Sequence, residues 1–272
     1  MSKIWFITGA SRGFGRAFTE AALSRGDRVA ATARNTDTLK DLADVHGDAV
    51  LPLKLDVTDR RAVQEAVAAA HERFGGLDIV VNNAGYGLFG MVEEVTEQQA
   101  RAQLDTNFFG ALHVTQAALP LLRAQGSGHI VQVSSMGGVI AFPSLGLYHA
   151  SKWALEGMTE SLAQEVAPFG VKVTLVEPGG FGTDWSGSSA AHAAPIDAYQ
   201  PARDALATVA EGTKYGDPKA AAAALLKVVD AEQPPLRVLF GAAPHDLVKQ
   251  AYAERLRTWA DWESVSVAAD GD

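Results

Sequence analysis

Seven short apolar segments recur along the chain, separated by longer stretches in which apolar residues follow a helical period. The segments hold few polar residues, unlike strands of a half-exposed sheet, in which apolar and polar residues alternate. Continuous apolar runs are typical of parallel strands that helices cover on both faces. We therefore predict strands at 3–8, 28–32, 49–55, 78–82, 129–134, 172–177 and 236–240.

Amphipathic segments between these runs predict the helices that cover the sheet. Their predicted bounds are 15–24, 38–45, 59–74, 97–122 and 147–167. Two of them carry a start signal, since Thr58 precedes an acidic first turn and Thr96 with Gln99 has the spacing of a capping box. The alternation of strand and helix predicts an α/β fold with a doubly wound, mostly parallel sheet of seven strands.

The rest of the chain predicts one domain with an irregular segment late in the sequence. Residues 179–216 are rich in Gly, Ser and Ala without a clear period, so we expect a long mobile loop or broken helix that serves as a substrate lid. Residues from about 265 are small and acidic and are expected to fray. No linker or internal repeat divides the chain, so residues 1–272 are predicted to form a single domain.

Composition and charge argue against several classes of function. The 272-residue chain is 47% hydrophobic and has a formal charge of −9 without a concentrated Lys/Arg run, so nucleic acid is not expected as a partner. It contains no cysteine, which excludes disulfides and thiolate chemistry. Its seven histidines show no close ligand pair, so no metal site is expected. The first apolar run is too short for a signal peptide or membrane span, which predicts a cytoplasmic protein.

A glycine-rich turn follows the first predicted strand. Gly9, Gly13 and Gly15 in TGASRGFG (residues 8–15) have the spacing G-x-x-x-G-x-G, and a helix is predicted directly after them. Glycine permits positive φ and close backbone approach, while the N–H groups and positive dipole of a helix start attract an anion. The turn therefore predicts a dinucleotide diphosphate site. Alternatively, the three glycines only make a tight strand-to-helix turn.

Two arginines bear on which dinucleotide is bound. The second strand ends at Ala33 and Arg34, with no acidic residue that would bind a free ribose 2′-hydroxyl. Arg12, inside the glycine turn, supplies a second guanidinium suited to a 2′-phosphate. We therefore expect NADP(H) to be preferred over NAD(H). Alternatively, both arginines are solvated surface residues.

Five segments, taken in order, resemble the landmarks of the short-chain dehydrogenases/reductases in their compact single-domain form. They are TGASRGFG (8–15), LDV (55–57), NNAG (82–85), Ser135 placed thirteen residues before YHASK (148–152), and PGGFGT (178–183). The resemblance covers roughly residues 3–185. It implies a Rossmann-type fold and an oxidoreductase that interconverts a small-molecule ketone or aldehyde and an alcohol by hydride transfer with a nicotinamide cofactor.

The resemblance implies a catalytic set of four residues. Tyr148 would be the general acid/base, and Lys152 would favour its phenolate and hold the cofactor ribose. Ser135 would bind the substrate oxygen, and Asn107 would anchor a water that links Lys152 to solvent. The chemistry agrees, because a tyrosine with a pKa near its ordinary value of about 10 needs a cationic neighbour, and Lys152 lies at i+4 on the same helical face. Ser134 is the alternative to Ser135, and Asn107 is alternatively a helix-interior amide bonded to backbone.

The resemblance also implies the cofactor contacts. Asp56 and Val57 would contact the adenine, and Thr183 in PGGFGT would hold the carboxamide. The complete set of expected cofactor-binding residues is Gly9, Ser11, Arg12, Gly13, Phe14, Gly15, Arg34, Asp56, Val57, Asn83, Ala84, Gly85, Tyr148, Lys152, Pro178, Gly179, Phe181 and Thr183. Glu177 is a departure, because many relatives have a neutral residue at that position before the proline.

An apolar substrate is expected, because the residues near the implied nicotinamide position carry few charges. These are Tyr86, Met136, Val139, Phe142, Leu145 and Trp185. Alternatively, they are core residues. A second hypothesis is an NADP(H) sensor without turnover, although a sensor has no need for the four catalytic residues together. Because helices 97–122 and 147–167 carry surplus apolar surface, a homodimer or homotetramer is expected by family analogy.

Overall fold

The structure, a computed structural model, describes residues 2–210, 212 and 214–271. Its strands are β1 (Ile4–Ile7), β2 (Arg28–Ala33), β3 (Val50–Lys54), β4 (Ile79–Asn82), β5 (Leu88–Phe89), β6 (Gly128–Val133), β7 (Val171–Pro178), β8 (Ala191–His192) and β9 (Arg237–Phe240). Its α-helices are α1 (Gly13–Ser24), α2 (Lys40–His46), α3 (Arg60–Phe74), α4 (Glu97–Leu104), α5 (Ala111–Gln125), α6 (Gly146–Val166), α7 (Gln200–Ala210), α8 (Pro218–Asp230), α9 (Ala243–Asp261) and α10 (Glu263–Ala268).

The main sheet is parallel throughout, with the strand order β3, β2, β1, β4, β6, β7, β9. These are the seven strands predicted from the apolar runs, and their ends agree with the prediction to within one residue. The predicted doubly wound parallel sheet is therefore confirmed. Strand order reverses between β1 and β4, and the crevice at the carboxyl ends of the strands at such a reversal is where α/β sheets bind ligands.

Two apolar cores cover the two faces of the sheet. Trp5 and Ile7 of β1 pack with α1 and α8 on one face, and Phe6 of the same strand packs with α3, α5 and α6 on the other. All three side chains are fully buried. Since each such side chain contributes about 1.5–3 kcal/mol on burial, the two cores hold the strand ends in a rigid frame.

Helix starts confirm one sequence prediction and correct another. Thr96 and Gln99 form the expected capping box before α4, with reciprocal hydrogen bonds of 3.2 and 3.0 Å. Helix α3 is capped by Asp59 and not by Thr58, because the Asp59 carboxylate accepts two N–H groups of the first turn, each at 3.0 Å. The Thr58 hydroxyl instead donates to Asp56 at 2.8 Å. A carboxylate also suits the positive end of a helix.

The helix predicted at 97–122 is interrupted. Helix α4 ends at Leu104, a π-helical turn spans Asp105–Gly110, and α5 then continues to Gln125. Periodicity cannot reveal this break, because the turn adds one residue to a continuous helix and keeps its direction. Such π turns occur frequently at functional sites, and this one contains Asn107.

The segment predicted as a loop or broken helix at 179–216 contains regular elements. Strand β8 pairs in parallel with β5, and α7 is a helix of 11 residues. Residues after 265, expected to fray, are helical as far as Ala268. Positions 211 and 213 of the predicted lid, and 1 and 272 of the predicted domain, lie outside the described residues. The lid and the single domain stay predictions.

Within the described part of the chain, no helix has the combined length and apolar character that a bilayer span requires. The cytoplasmic location stays a prediction.

Candidate active site

The glycine-rich turn joins β1 to α1 at the point where strand order reverses. Gly9 and Gly13 have φ angles of 66° and 55°, which residues with side chains rarely adopt. A Cβ atom at Gly15 would overlap the carbonyl oxygen of Gly9 and lie 2.5 Å from Asn83 Nδ2. Backbone conformation and close packing therefore both require glycine in this turn.

Helix α1 begins at the carboxyl end of β1, beside the crevice where strand order reverses. Arg12, the N-cap residue, makes no side-chain hydrogen bond to the first turn of the helix, and that turn contains no acidic residue. Free N–H groups and the positive end of the helix dipole stabilise an anion at this position. The turn therefore fits the diphosphate of a dinucleotide.

Thr8 and Asn83 hold the glycine turn against the end of β4. Thr8 Oγ1 accepts hydrogen bonds from the backbone N–H groups of Asn83 at 2.9 Å and Ala84 at 3.0 Å. Asn83 Nδ2 donates to the carbonyl oxygens of Thr8 at 2.9 Å and Gly9 at 3.2 Å. The amide nitrogen of Asn83 thus braces the turn, and its ribose contact stays a prediction. Sequence reasoning missed Thr8, whose only signal was its position directly before Gly9.

Tyr148 and Lys152 lie one turn apart on the buried face of α6. Lys152 Nζ is 5.9 Å from the centre of the Tyr148 ring and donates to the carbonyl oxygen of Val133 at 2.8 Å. Ser135 follows β6, and its hydroxyl accepts the Gly137 N–H at 2.9 Å while interacting with the phenol. The fold therefore brings together three of the four residues predicted to be catalytic.

Burial controls the ionisation of the phenol and the amine. It raises the pKa of Tyr148 to about 12, although hydrogen bonding with Ser135 acts in the opposite direction. It lowers the pKa of Lys152 to about 8, although the charge of Glu156 opposes this. Burial therefore dominates at the phenol, and the hydrogen bond with Ser135, not the charge of Lys152, is what opposes it.

Asn107 lies in the π-helical turn beside the same site. Its Oδ1 accepts the Tyr86 N–H at 3.1 Å, and its Nδ2 donates to the Tyr86 carbonyl at 3.0 Å and to Ser151 Oγ at 3.2 Å. A Cβ atom at Gly85 would lie 3.1 Å from Asn107 Oδ1 and 3.7 Å from Lys152 Nζ. The amide thus fixes the backbone after NNAG, as the alternative reading expected. The water relay stays a prediction.

The two arginines expected at a 2′-phosphate have different surroundings. Arg34 is exposed directly after β2. Arg12 Nη1 forms an ion pair at 2.9 Å with Oδ2 of Asp184, a residue of the segment that follows β7. Sequence reasoning missed Asp184, since nothing in the local pattern shows that it meets a residue of the glycine turn. Arg12 thus has a carboxylate partner where the prediction assigned it a phosphate.

The PGGFGT segment packs against the glycine turn. The Phe14 and Phe181 rings meet edge to face with centroids 5.0 Å apart. A Cβ atom at Gly13 would lie 3.5 Å from Thr183 Cβ, and the Gly179 N–H donates to a carbonyl of β9 at 3.0 Å. The other predicted cofactor residues lie at the same edge of the sheet. Ser11 is in the glycine turn, Asp56 and Val57 follow β3, Ala84 and Gly85 follow β4, and Pro178 ends β7.

Trp185 covers the phenol of Tyr148. The two ring centroids are 5.0 Å apart in an edge-to-face arrangement, and Trp185 also lies 5.2 Å from the Phe89 ring. A Cβ atom at Gly87 would lie 2.7 Å from the Trp185 ring, so only glycine permits this approach. Trp185 thus forms part of an apolar cover over the site, near the position that sequence reasoning expected.

Comparison with known proteins decides the family. Residues 3–194 match the family model described as short chain dehydrogenase. The chain belongs to the short-chain dehydrogenase family. The resemblance drawn from five sequence segments is thereby confirmed, and with it an oxidoreductase class.

Relatives with assigned names support the same conclusion over nearly the whole chain. The chain is 44% identical to "Oxidoreductase BOA17" of Botryotinia fuckeliana, with 99% of this chain and 100% of the relative covered. It is 35% identical to the "3-ketodihydrosphingosine reductase" of Bacteroides thetaiotaomicron, with 88% of each chain covered.

Solved short-chain dehydrogenase structures share the fold. One from Streptomyces avermitilis has a TM-score of 0.93 at 39% identity and covers 98% of each chain. One from Burkholderia cenocepacia in complex with NADP has a TM-score of 0.77 at 29% identity, covering 96% of this chain and 97% of the other. One from Burkholderia phymatum in complex with NAD has a TM-score of 0.82 at 26% identity, covering 94% and 95%.

His149, in the short-chain dehydrogenase segment YHASK, bonds to the backbone of the segment after Ser135. The sequence analysis did not select this histidine. His149 Nδ1 contacts the Gly137 carbonyl at 2.9 Å, and its Nε2 accepts the Phe142 N–H at 3.0 Å. These two bonds require a neutral ring that carries its proton on Nδ1. His149 therefore holds the segment after Ser135 in place. Its position next to Tyr148 was the only sequence signal.

Proposed function

We propose that the protein is an NADP(H)-dependent oxidoreductase that interconverts an apolar ketone or aldehyde and the corresponding alcohol. The observation that carries the proposal is the convergence of Ser135, Tyr148 and Lys152 at the crevice beside the glycine turn. A protein that only senses the dinucleotide has no use for a buried phenol with a serine hydroxyl and an ammonium beside it.

In this proposal each residue has a defined task. The bound nicotinamide dinucleotide supplies or accepts the hydride. The glycine turn and the first turn of α1 hold its diphosphate. In carbonyl reduction, the Tyr148 hydroxyl delivers a proton to the substrate oxygen while Ser135 donates a hydrogen bond to the same oxygen. Lys152 stabilises the phenolate left behind, because its ammonium lies on the same face of α6.

The apolar cover supports an apolar substrate. Trp185 lies against Tyr148, and Phe89 extends the same aromatic surface. A surface of this kind recognises hydrophobic groups and offers no charge to pair with an acid or phosphate. The name of the Bacteroides relative, a ketone reductase acting on a sphingoid substrate, agrees with an apolar ketone.

The preference for NADP(H) rests on the end of β2. Arg34 is exposed directly after Ala33, the last residue of β2, and neither position is acidic. Solved relatives bind NADP or NAD, so the preference belongs to this chain's own residues. Titration with both dinucleotides should give tighter NADPH binding. Arg34→Ala should weaken NADPH binding by roughly tenfold, as expected for a charged hydrogen bond of about 1.5 kcal/mol, and leave NADH unaffected. Equal losses for both dinucleotides would contradict this.

The acid/base assignment is tested by Tyr148→Phe, with Tyr252→Phe on the exposed side of α9 as the matched control. A screen of apolar ketones and aldehydes, followed by NADPH absorbance, first identifies a substrate. Tyr148→Phe should then lower kcat by at least about a hundredfold while NADPH still binds. The control should keep full activity. Near wild-type turnover by Tyr148→Phe would refute the assignment, and binding without turnover by the wild type on every substrate would favour a sensor.

A further inference from the structure

A cluster of carboxylates lies behind the candidate active site and shares one arginine. Arg237 of β9 binds Glu156 of α6 through Nε at 2.9 Å and Glu160 through Nη2 at 2.8 Å. The same Nε lies 3.6 Å from Glu177 Oε1 on β7. The side chains of Glu156 and Glu177 are only 6% and 4% exposed, whereas that of Glu160 is 56% exposed. Two buried carboxylates thus depend on one guanidinium.

Hydrogen bonds in the cluster leave the two buried glutamates incompletely satisfied. Among the described residues, Glu177 Oε1 has no hydrogen-bond partner, and Glu156 Oε1 has only the weakly placed Ser134 hydroxyl beside it. The 3.6 Å separation between Arg237 Nε and Glu177 is longer than a hydrogen bond. A buried ionised carboxylate without such bonds is costly, and a proton on one of two adjacent carboxyls removes that cost.

The surroundings favour the protonated form at Glu177. Burial raises its pKa to about 7, with the negative charge of Glu156 acting in the same direction and Arg237 opposing both. Burial also raises the pKa of Glu156. The charged groups around the pair are Lys152 and Glu160 on α6 and Arg237 on β9, and the chain after β6 contributes the uncharged Ser134.

The cluster lies directly beneath the residues proposed to be catalytic. Glu156 is one helical turn from Lys152, and its charge raises the pKa of that amine against the effect of burial. A Cβ atom at Gly138 would lie 2.6 Å from Ser134 Oγ and 3.1 Å from Glu156 Oε1. The Glu156 carboxylate therefore lies against the segment that carries Ser135 and on the helix that carries Lys152.

We propose that Glu156 and Glu177 share one proton in the neutral pH range and that this proton sets the charge beneath Lys152. The inference rests on the proposed function, in which Lys152 serves Tyr148, and it makes both glutamates positioning residues. When Glu177 loses its proton, the added negative charge favours the Lys152 ammonium. When Glu177 is protonated, the ammonium is less favoured, because only Glu156 remains charged.

The kinetic test compares Glu177→Gln with Glu160→Gln. Glutamine keeps the shape of a protonated carboxyl and is permanently neutral, so Lys152 should lose its proton at lower pH in Glu177→Gln. The alkaline limb of the kcat/KM profile should move to lower pH by less than about one unit, because Glu156 is the carboxylate that acts directly on Lys152 and Glu177 lies behind it. Glu160→Gln removes an exposed carboxylate that binds the same arginine, so the pH at which the alkaline limb begins should not change. Equal shifts in both variants would contradict the inference.

Infrared spectroscopy supplies a readout that needs no turnover. The wild type should show the absorption of a buried protonated carboxyl about one unit below pH 7 and lose it about one unit above. The band should be absent in Glu177→Gln and present in Glu160→Gln. If Glu177→Gln does not fold, Glu156→Gln is measured instead. The band should then titrate at lower pH, because the charge of Glu156 no longer raises the pKa of Glu177, and an unchanged titration would contradict the inference. A wild type without a titrating band would overturn the inference, whereas an active Tyr148→Phe would overturn the proposed function and leave the infrared result unaffected.

Discussion

Gly15 is the residue at which the glycine turn tolerates change least. Its φ is not in the left-handed region, so the restriction comes from packing, because a Cβ would overlap Gly9 and press on Asn83. We predict that Gly15→Ala lowers the free energy of unfolding by about 1–3 kcal/mol, as overpacking does. It should also abolish dinucleotide binding, since the brace between β1 and β4 would have to move. Denaturant titration and fluorescence titration measure the two effects.

A glycine remote from the site provides the control for this prediction. At Gly76 the nearest atom to a new Cβ is Gln125 Oε1 at 3.2 Å, the end of a flexible side chain. Gly76→Ala should therefore change stability by no more than about 0.5–1 kcal/mol and leave binding intact. If Gly15→Ala behaved in the same way, the packing argument for the turn would be wrong.

A buried histidine makes stability depend on pH. His129 of β6 contacts Thr174 Oγ1 through Nε2 at 2.9 Å, and burial lowers its pKa from 6.5 to about 4. Below pH 6.5 the unfolded chain binds a proton that the folded chain refuses until about pH 4, so the free energy of unfolding falls as pH falls through this window. At about 1.4 kcal/mol per unit, the loss is about 3 kcal/mol. Denaturant unfolding measured at several pH values across this window should show that the free energy of unfolding changes less with pH in His129→Gln than in the wild type. An equal dependence on pH would contradict the prediction.

Single residues were predictable where chemistry depends on local spacing. The glycines at 9–15 are close together in the sequence, and so are Tyr148 and Lys152. The relation within each group can therefore be inferred from the spacing alone. Glu156 has the sequence pattern of an ordinary helix residue, and its partner Arg237 is 81 positions away on strand β9. Asp184 and Arg12 are likewise brought together only by the fold. Contacts of this kind have no local signal.

At the scale of elements, the segment after β7 is tied to the glycine turn by one exposed ion pair. The side chains of Arg12 and Asp184 are 48% and 35% exposed, so the pair contributes at most about 1 kcal/mol. Because the carboxylate competes with a cofactor phosphate for Arg12, Asp184→Asn should tighten NADPH binding by up to about fivefold. NADH binding should not change. Fluorescence titration measures both.

The control for that change is Asp197→Asn, which removes a carboxylate from the same segment at a short helical turn. It should alter neither dinucleotide's affinity. If Asp184→Asn tightened NADH as much as NADPH, Asp184 would be acting on Trp185 and the cover of the site, and not on Arg12.

Strands were predictable more fully than helices. The five central strands of the main sheet are buried on both faces, so the apolar run of each is bounded by polar residues at nearly the positions where pairing stops. Helix bounds depend on caps and local turns, which explains why Asp59 replaced Thr58 at the start of α3. Helix α7 was missed although its apolar residues follow a helical period, because it lies inside the segment 179–216, which its Gly, Ser and Ala content had marked as irregular.

On the whole molecule, two groups of helices carry most of the exposed large apolar side chains among the described residues, and others such as Val45 and Val92 are scattered. Phe109 and Trp153, on the helices expected to pair in an oligomer, are 43% and 40% exposed. A larger group lies on α9, α10 and the residue between them, namely Leu247, Tyr252, Leu256, Trp259, Trp262, Val265 and Val267. The sequence predicted surplus apolar surface on helices 97–122 and 147–167, whereas the larger exposed group lies on the C-terminal helices.

The family contact between copies would use the outward face of α6. Ala150, Trp153, Gly157 and Ser161 lie on that face with helical spacing and are exposed. A Cβ atom at Gly157 would meet nothing within 4 Å, so a second helix has room to approach closely. We therefore predict a dimer or tetramer by light scattering, and a monomer for Trp153→Glu, because a charge would be buried at the contact.

Trp259→Glu on α9 is the matched control. The two regions adjoin, since Arg255 of α9 lies 5.2 Å from the centre of the Trp153 ring, but Trp259 is one helical turn beyond that contact. This tryptophan is 63% exposed, and its replacement should leave the assembly intact if copies pair through α6. The formal charge of −9 repels a second copy, so added salt should strengthen association of the wild type and should not restore it in Trp153→Glu. Dissociation by Trp259→Glu alone, with Trp153→Glu still assembled, would show that copies meet through the C-terminal helices and that the family analogy does not extend to this chain's assembly.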